Sequence, residues 1–464
     1  MQALSTLYGG KTVAVMGLGK SGAASTRALA AAGAVVLAWD DQEETRARAA
    51  AEGVSLSDLS AADWSKIDLL VWSPGIAHIH PEPHAVAEAA RAAGVALVCD
   101  IDLLCAANPG ARAIAITGTN GKSTTTTLIG HLLAGGGAPL AVGGNLGVPA
   151  LDLPSLGLDG TYVLELSSYQ LELLDQAQFD IAVLLNITPD HLARHGGMDG
   201  YVAAKASMFE RLPAGSTAVV AVDDLHSAQI HLALSHRKDI VTRAVSAEKA
   251  VAGGVYAPNG VLIDDLDGKA EIILDLKPIG NLPGRHNWQN ACAAYAVGRA
   301  CGMAPTEIGA RLASYPGLRH RQELVAIIDG VRYVNDSKAT NADAAEKALV
   351  CYDRLYWIAG GQAKEGGIES LRPLFPRIAR AFLIGEAAQS FADTLSGAVG
   401  YEMCGTLEAA VKRAHDVALA DGRPGGVVLL SPACASWDQF TSFEHRGDVF
   451  RDLVEGLSGE RSAA

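Results

Sequence analysis

Two short strings in this chain carry the residue types that hold phosphate. In Gly118-Thr119-Asn120-Gly121-Lys122-Ser123-Thr124, closely spaced glycines let successive backbone N–H groups point inward around an anion. Lys122 can reach terminal phosphates, and the Ser123 hydroxyl can sit on a divalent cation. A helix starting at that point adds the favourable end of its dipole. The string departs from the strict G-x-x-x-x-G-K-[ST] pattern, because Ile116 occupies the first glycine position. Binding of a mononucleotide's phosphates is the chemistry this predicts. The second string, Gly17-Leu18-Gly19-Lys20-Ser21-Gly22, satisfies G-x-G-x-x-G, and Asp40-Asp41 follow at the distance suited to a ribose-binding carboxylate. Its physics asks only for a diphosphate at a helix N-terminus, so a nicotinamide dinucleotide and a UDP-type ligand suit it equally.

Other chemistry-bearing residues fall at the ends of apolar runs. Glu165 closes Tyr162-Val163-Leu164-Glu165, and His191 closes Asn186-Ile187-Thr188-Pro189-Asp190-His191. A carboxylate at such a strand end, beside a phosphate loop, can bind Mg²⁺ directly or through water, and His191 can join the same cluster. Lys205 lies in an apolar helical context, Tyr201 to Phe209. Such a lysine either snorkels its charge to water or, held neutral, adds CO₂ and becomes an anionic carbamate. Two further polar strings, Asn335 to Asn341 and Ser431 to Phe440, follow apolar runs at the place where open α/β sheets bind ligands.

Positioning these strings requires strand–turn–helix units. Short β-branched runs alternate with Ala/Leu-rich stretches along the chain, which predicts βαβ units and largely parallel sheets, an α/β fold. Strands are expected at Lys11–Met16, Ala34–Trp39, Ile67–Trp72 and Val95–Cys99. A second group comprises Arg112–Ile116, Thr161–Leu166, Ile181–Asn186 and Thr217–Val222, with a small antiparallel addition over 240–280 and a helix after Asn287. A third comprises Arg332–Asn335, Leu355–Ala359, Ala381–Ile384 and Val427–Ser431. Three domains follow, at 1–100, 101–316 and 317–464, in keeping with about 150 residues per domain.

The composition narrows the partners. With 49% hydrophobic and 5% aromatic residues over 464 positions and a net charge of −14, the chain reads as globular, and nothing resembles the basic block that binds nucleic acid. The 7 cysteines show no C-x-x-C pair, so neither a zinc site nor a disulfide scaffold is expected. No apolar run approaches the roughly 20 residues needed to span a bilayer, and no signal pattern opens the chain. A cytoplasmic protein, off the membrane, is the expectation.

Taken together, these strings resemble the Mur ligase family across nearly the whole chain. The resemblance rests on Thr117 to Thr124, Gly143-Gly-Asn-Leu-Gly147, Glu165-Leu-Ser-Ser-Tyr-Gln-Leu-Glu172, Asp190-His191, the Lys205 helix, Gly317-Leu-Arg-His-Arg321, Asn335-Asp-Ser-Lys-Ala-Thr-Asn341 and Ser431-Pro-Ala-Cys-Ala-Ser436. The last two point to the D-glutamate-adding branch. It implies an N-terminal Rossmann-like domain, a central P-loop ATPase-type domain and a C-terminal Rossmann-like domain. By the same resemblance, Gly19, Lys20, Ser21, Gly22, Asp40, Ser73, Pro74 and Gly75 would hold the UDP moiety. Asn145, Ser168, Gln170 and His191 would face the rest of that substrate. ATP would fall to Gly118 through Thr124, Asn287 and Asn290, with Arg321 and Asp336 assisting. Ser123, Glu165, His191 and a carbamate on Lys205 would organise two Mg²⁺ ions, with Lys122 neutralising phosphate. Lys338, Thr340, Lys364, Ser436 and Phe443 would contact D-glutamate.

The activity implied is ATP-dependent, ADP-forming ligation of D-glutamate to UDP-N-acetylmuramoyl-L-alanine through an acyl phosphate, by a monomer, in peptidoglycan precursor synthesis. Alternatives are a sibling ligase adding another amino acid, a nicotinamide-dependent oxidoreductase built on Gly17–Gly22, and a non-catalytic nucleotide or UDP-sugar sensor. The oxidoreductase reading leaves the Lys122 loop unexplained.

Overall fold

The computed structural model describes residues 2–363, 366–422 and 425–462, which form three sheets. The first is wholly parallel, in the order β2-β1-β3-β4, from β1 (Thr12–Met16), β2 (Val35–Trp39), β3 (Leu69–Trp72) and β4 (Leu97–Val98). The chain leaves β1 to build β2 on one side and then returns to build β3 on the other. The loops after β1 and β3 therefore flank a topological switch point, where such sheets open a crevice.

The second sheet repeats this logic around β5 (Arg112–Thr117). Its strands β6 (Leu140–Gly144) and β7 (Thr161–Glu165) lie to one side, and β8 (Ile181–Leu184), β9 (Thr217–Ala221), β10 (Val241–Ser246) and β11 (Val255–Tyr256) to the other, all parallel. β12 (Val261–Asp264) and β13 (Glu271–Asp275) complete it antiparallel, in the region where turn signals predict such an addition. β7, β8 and β9 are buried along their whole length, as strands covered on both faces must be. Fully burying each Val, Ile or Leu contributes about 1.5–3 kcal/mol. That packing holds the strand ends, and so the loops, in fixed register.

The third sheet runs β18-β17-β16-β19-β15-β14-β20, from β14 (Glu323–Ile328), β15 (Val331–Asn335), β16 (Leu355–Gly360), β17 (Ile378–Ile384), β18 (Tyr401–Gly405), β19 (Val427–Leu430) and β20 (Arg461–Ser462). β15 to β18 with β19 are parallel, while β14 pairs antiparallel on both sides. The chain clusters into two compact units, Met1–Asp275 with Arg285–Ser314, and Leu276–Gly284 with Tyr315–Ala464. The first unit carries the first and second sheets.

Four strands lie outside the runs that the alternation predicts. β6 ends in two glycines, β18 is an exposed edge strand, β14 belongs to an antiparallel margin, and β20 has 2 residues. β6, β18 and β20 lack the continuous apolar run of a strand buried on both faces, whereas β14 has one, Leu324–Ile328, that the alternation does not single out.

Candidate functional site

Gly118 to Gly121 follow β5 and lead into the helix Lys122–Leu133. Gly121 sits at φ +84°, and a Cβ there would come within 2.4 Å of Asn290 Oδ1, so this position demands glycine on two counts. Asn186, just beyond β8, clamps the loop from the next strand. Its Oδ1 accepts from Asn120 N–H at 2.8 Å, its Nδ2 donates to Asn120 O at 3.1 Å, and its carbonyl accepts from Thr119 N–H at 2.9 Å. Asn290 Nδ2 donates to Asn287 Oδ1 at 3.1 Å, both side chains being buried on the helix Arg285–Ala300.

Lys122 Nζ donates to the carbonyls of Gly118 and Thr119, each at 2.8 Å. Lys205, only 1% exposed, projects from the helix Met198–Glu210 and reaches Gly118 O at 3.1 Å, with its ammonium 4.7 Å from the Tyr201 ring centre. Burial first, and then the positive charge of Lys122, push the Lys205 pKa down to about 7. The snorkelling alternative is excluded, because this ammonium is turned inward.

Glu165 ends β7, whose register sets it beside Ile116 of β5 and Gly144 of β6. Its Oε1 accepts from Asn145 Nδ2 at 2.7 Å, while Oε2 is buried with no hydrogen-bond partner. A buried carboxylate oxygen left over in this way costs stability unless something positive meets it. Among the described residues no three His, Cys, Asp or Glu side chains converge as metal ligands. A cation here would therefore draw on Glu165 Oε2, the Ser123 hydroxyl, phosphate oxygens and water, a donor set that suits Mg²⁺.

His191 takes a left-handed backbone, φ +52°, and stays half-exposed, with Nε2 3.4 Å from Asp190 Oδ2. Gln170 is buried and spends its Oε1 on the N–H and hydroxyl of Ser167, capping the turn Ser168–Leu171. Ser168 is also buried, and its Oγ lies 2.9 Å from His195 Nε2. His195 and its partner Glu172 are functional candidates that sequence reasoning missed. Glu172 closes the Glu165–Glu172 string, which assigns it no role, and His195 lies outside every string, so only their contact in the fold marks them.

The crevice of the first sheet is a pocket of about 390 Å³ lined by Gly17, Gly19, Lys20, Ser21, Asp40 and the turn Ser73–Ile76, among others. A Cβ on Gly22 would lie 1.7 Å from Gly17 O, which makes that last glycine obligatory. Ser73 Oγ donates to Gly17 O at 2.9 Å, tying the two loops together. Asp40 is used partly to shape the pocket, since its carboxylate accepts the N–H groups of Leu18 at 2.7 Å and Gln42 at 2.9 Å.

In the second unit, β19 is inserted between β15 and β16, which brings Asn335–Asn341 and Ser431–Ser436 together. Asp336 accepts from Ser431 Oγ at 2.8 Å and Gln322 N–H at 3.2 Å, and burial lifts its pKa to about 7. Lys338 Nζ lies 4.9 Å from the ring centre of Phe443. Thr340 N–H donates to Lys338 O at 2.9 Å, and Ser436 is buried. Arg321 is part-buried, and its Nε has no hydrogen-bond partner among the described residues. Lys364 lies outside the described residues. Arg446, which the sequence does not single out, is fully buried and stitches the two loops. It donates to Ser337 Oγ (2.9 Å), Ser337 O (2.8 Å), Cys434 O (3.1 Å) and Ala435 O (3.3 Å).

Comparison with known proteins decides the family. The chain is 60% identical over 451 residues to the UDP-N-acetylmuramoylalanine–D-glutamate ligase of Paramagnetospirillum magneticum, covering 97% of this chain and 98% of that one. It belongs to the Mur ligase family. The Mur ligase middle domain matches residues 116–298, and the Mur ligase glutamate ligase domain matches 320–434. A relative of the same name from Rhodospirillum rubrum is 56% identical, covering 98% of this chain and 97% of its own. Among solved structures, the UDP-N-acetylmuramate–alanine ligase of Thermotoga maritima superposes with a TM-score of 0.55 at 16% identity, covering 96% of this chain and 99% of that one. A MurF from Acinetobacter baumannii gives 0.56 at 20% identity, covering 76% and 79%. These two establish the shared Mur ligase fold alone. Family membership removes the oxidoreductase reading of Gly17–Gly22.

Proposed function

We propose that this Mur ligase joins D-glutamate to UDP-N-acetylmuramoyl-L-alanine, converting ATP to ADP and phosphate, in the cytoplasm and as a monomer. The observation that carries this reading is the 60% identity to a relative bearing that activity in its name, over 97% of the chain. The geometry at Gly118–Lys122 is what such a reaction requires.

A carboxylate is a poor electrophile, so the alanyl carboxylate must first take the γ-phosphoryl group of ATP. The resulting acyl phosphate is then attacked by the amine of D-glutamate, and phosphate leaves from the tetrahedral intermediate. The first step brings two anions together, so charge neutralisation dominates its barrier. Lys122 supplies one positive charge once a phosphate displaces its ammonium from the Gly118 and Thr119 carbonyls. Glu165, Ser123 and His191 would hold Mg²⁺, which would supply Lewis-acid stabilisation of phosphoryl charge.

Lys205, with its pKa near 7, presents a neutral amine much of the time at physiological pH. That amine adds CO₂ and releases a proton, which turns a repulsive ammonium into an anion suited to a second Mg²⁺. Asn145 orients Glu165 and presents its remaining polar atoms to the acyl substrate. The Gly17–Gly22 and Ser73–Ile76 loops take the UDP half. Asn287 and Asn290, with Arg321 and Asp336, serve the nucleotide, while Lys338, Thr340, Lys364, Ser436 and Phe443 receive D-glutamate. The three domains at 1–100, 101–316 and 317–464 divide these roles.

Phosphate release measured with ATP, Mg²⁺ and UDP-N-acetylmuramoyl-L-alanine tests this directly. D-glutamate should stimulate turnover, whereas L-alanine and L-lysine should not. Faster turnover with another amino acid would assign the chain to a sibling activity, and absence of ADP with all three would overturn ligation altogether.

A further inference from the structure

Glu172 stands at the junction of three segments that the proposed reaction uses but does not itself connect. Its Oε1 lies 2.5 Å from His195 Nδ1, and the far nitrogen of that ring lies 2.9 Å from Ser168 Oγ. Because a carboxylate only accepts, His195 carries a proton on Nδ1, which fixes the ring and sets Nε2 against the Ser168 hydroxyl. Ser168 thus has its orientation dictated from behind, only three residues beyond Glu165.

The other carboxylate oxygen, Oε2, faces the first sheet. It is 3.6 Å from Arg194 Nη1 and 3.6 Å from His78 Nε2. Arg194 Nη2 donates in turn to Ile76 O at 2.8 Å, in the turn that lines the crevice at the end of β3. His78 Nδ1 lies 2.6 Å from Arg91 Nη2, and Arg91 Nη1 donates to His78 O at 3.0 Å. Arginine only donates, so His78 Nδ1 is the acceptor and Nε2–H points at Glu172. Burial works against the Glu172 anion, but the adjoining His195 and His78 rings and the Arg194 charge outweigh it and hold its pKa at about 2. His195 and His78 are buried, and Glu172 Oε2, Arg194 Nη1 and His78 Nε2 meet only as ion-pair contacts at 3.6 Å, with no hydrogen-bond partner of their own among the described residues.

We propose that Glu172 is a positioning residue that ties the Ser73–Ile76 turn to Ser168, so that seating the uridine diphosphate half of the substrate fixes where its acyl end lies. The inference rests on the assignment of the two loops to one substrate made above. It explains why a charged network occupies the seam between the first two sheets, where apolar packing would serve stability as well. A positioning role of this kind acts on one substrate among three.

The test is steady-state kinetics of Glu172→Gln and Arg194→Met, singly and together, with calorimetric titration of UDP-N-acetylmuramoyl-L-alanine on each folded variant. Glu172→Gln should raise KM and Kd for the uridine substrate about tenfold, leaving KM for ATP and D-glutamate within about twofold. Because the two residues act through one contact, the double variant should be no worse than the more affected single variant. Equal rises in all three KM values, additive effects, or an unchanged Kd in folded Glu172→Gln would overturn the proposal. Should Glu172→Gln fail to fold, His195→Gln carries the same expectation, because its amide can still meet Ser168 but loses Glu172. A wild-type protein that binds the uridine substrate yet never turns over would sink the ligase reading. A ligating wild type with an unaltered Glu172→Gln would sink only this inference.

Discussion

Lys122 and Lys205 donate to the same backbone oxygen, that of Gly118, at 2.8 Å and 3.1 Å. Two ammonium groups sharing one carbonyl repel each other, and the buried one yields. Lys122→Ala should therefore lower kcat by on the order of 10²–10³, with the circular dichroism spectrum unchanged. Near-normal turnover would remove the nucleotide from this loop.

Lys205 should respond differently. Lys205→Ala is expected to be inactive and partly restored by acetate, which can refill an anionic position. At limiting CO₂, wild-type activity should fall as pH drops through about 7, the Lys205 pKa, because protonation removes the amine that captures CO₂. Failure of acetate to restore any turnover, or full activity without it, would argue against the carbamate.

Glu165 Oε2 is buried and unpartnered, and Glu165→Gln should raise the Mg²⁺ concentration needed for half-maximal turnover at least about tenfold. Chelation should abolish turnover reversibly. A Mg²⁺ titration that superposes on wild type would exclude Glu165 as a ligand.

Asp336 has a pKa raised to about 7 by burial. The folded state therefore holds a proton that the unfolded chain releases near pH 4. Its contribution to stability is fully present below about pH 4 and is lost as pH rises through 7. Thermal melts of Asp336→Asn should show a flatter pH dependence across that window, and a parallel pair of curves would refute the assignment.

Arg446 donates to three carbonyls and one hydroxyl, with no carboxylate among these acceptors, and burial lowers its pKa to about 10. Arg446→Ala leaves those acceptors unsatisfied and should cost on the order of 3 kcal/mol in urea unfolding. Arg446→Lys, which keeps charge but not the fork, should fold and show a raised KM for D-glutamate alone. An unchanged KM would confine Arg446 to stability.

Local chemistry made much of the site legible before any coordinates. A left-handed backbone at Gly121, a close approach at Gly22 and a lysine after a phosphate turn are demands that one short stretch must meet by itself, so they mark the residues directly. The buried parallel strands were legible for a similar reason, since burial on both faces requires continuous Val, Ile and Leu. What sequence could not disclose were relations between distant stretches. Insertion of β19 between β15 and β16 depends on which strand edges are free when the chain folds back. The inward turn of Lys205, the Asn186 clamp, the Arg446 stitch and the Ser168–His195–Glu172 line arise from packing between segments 20 to more than 100 residues apart. Residue type and spacing thus specified which groups could do chemistry. Only the tertiary structure decided their charge states and whom they face, by stripping water from Lys205 and Asp336 and by setting His195, His78 and Arg194 around Glu172.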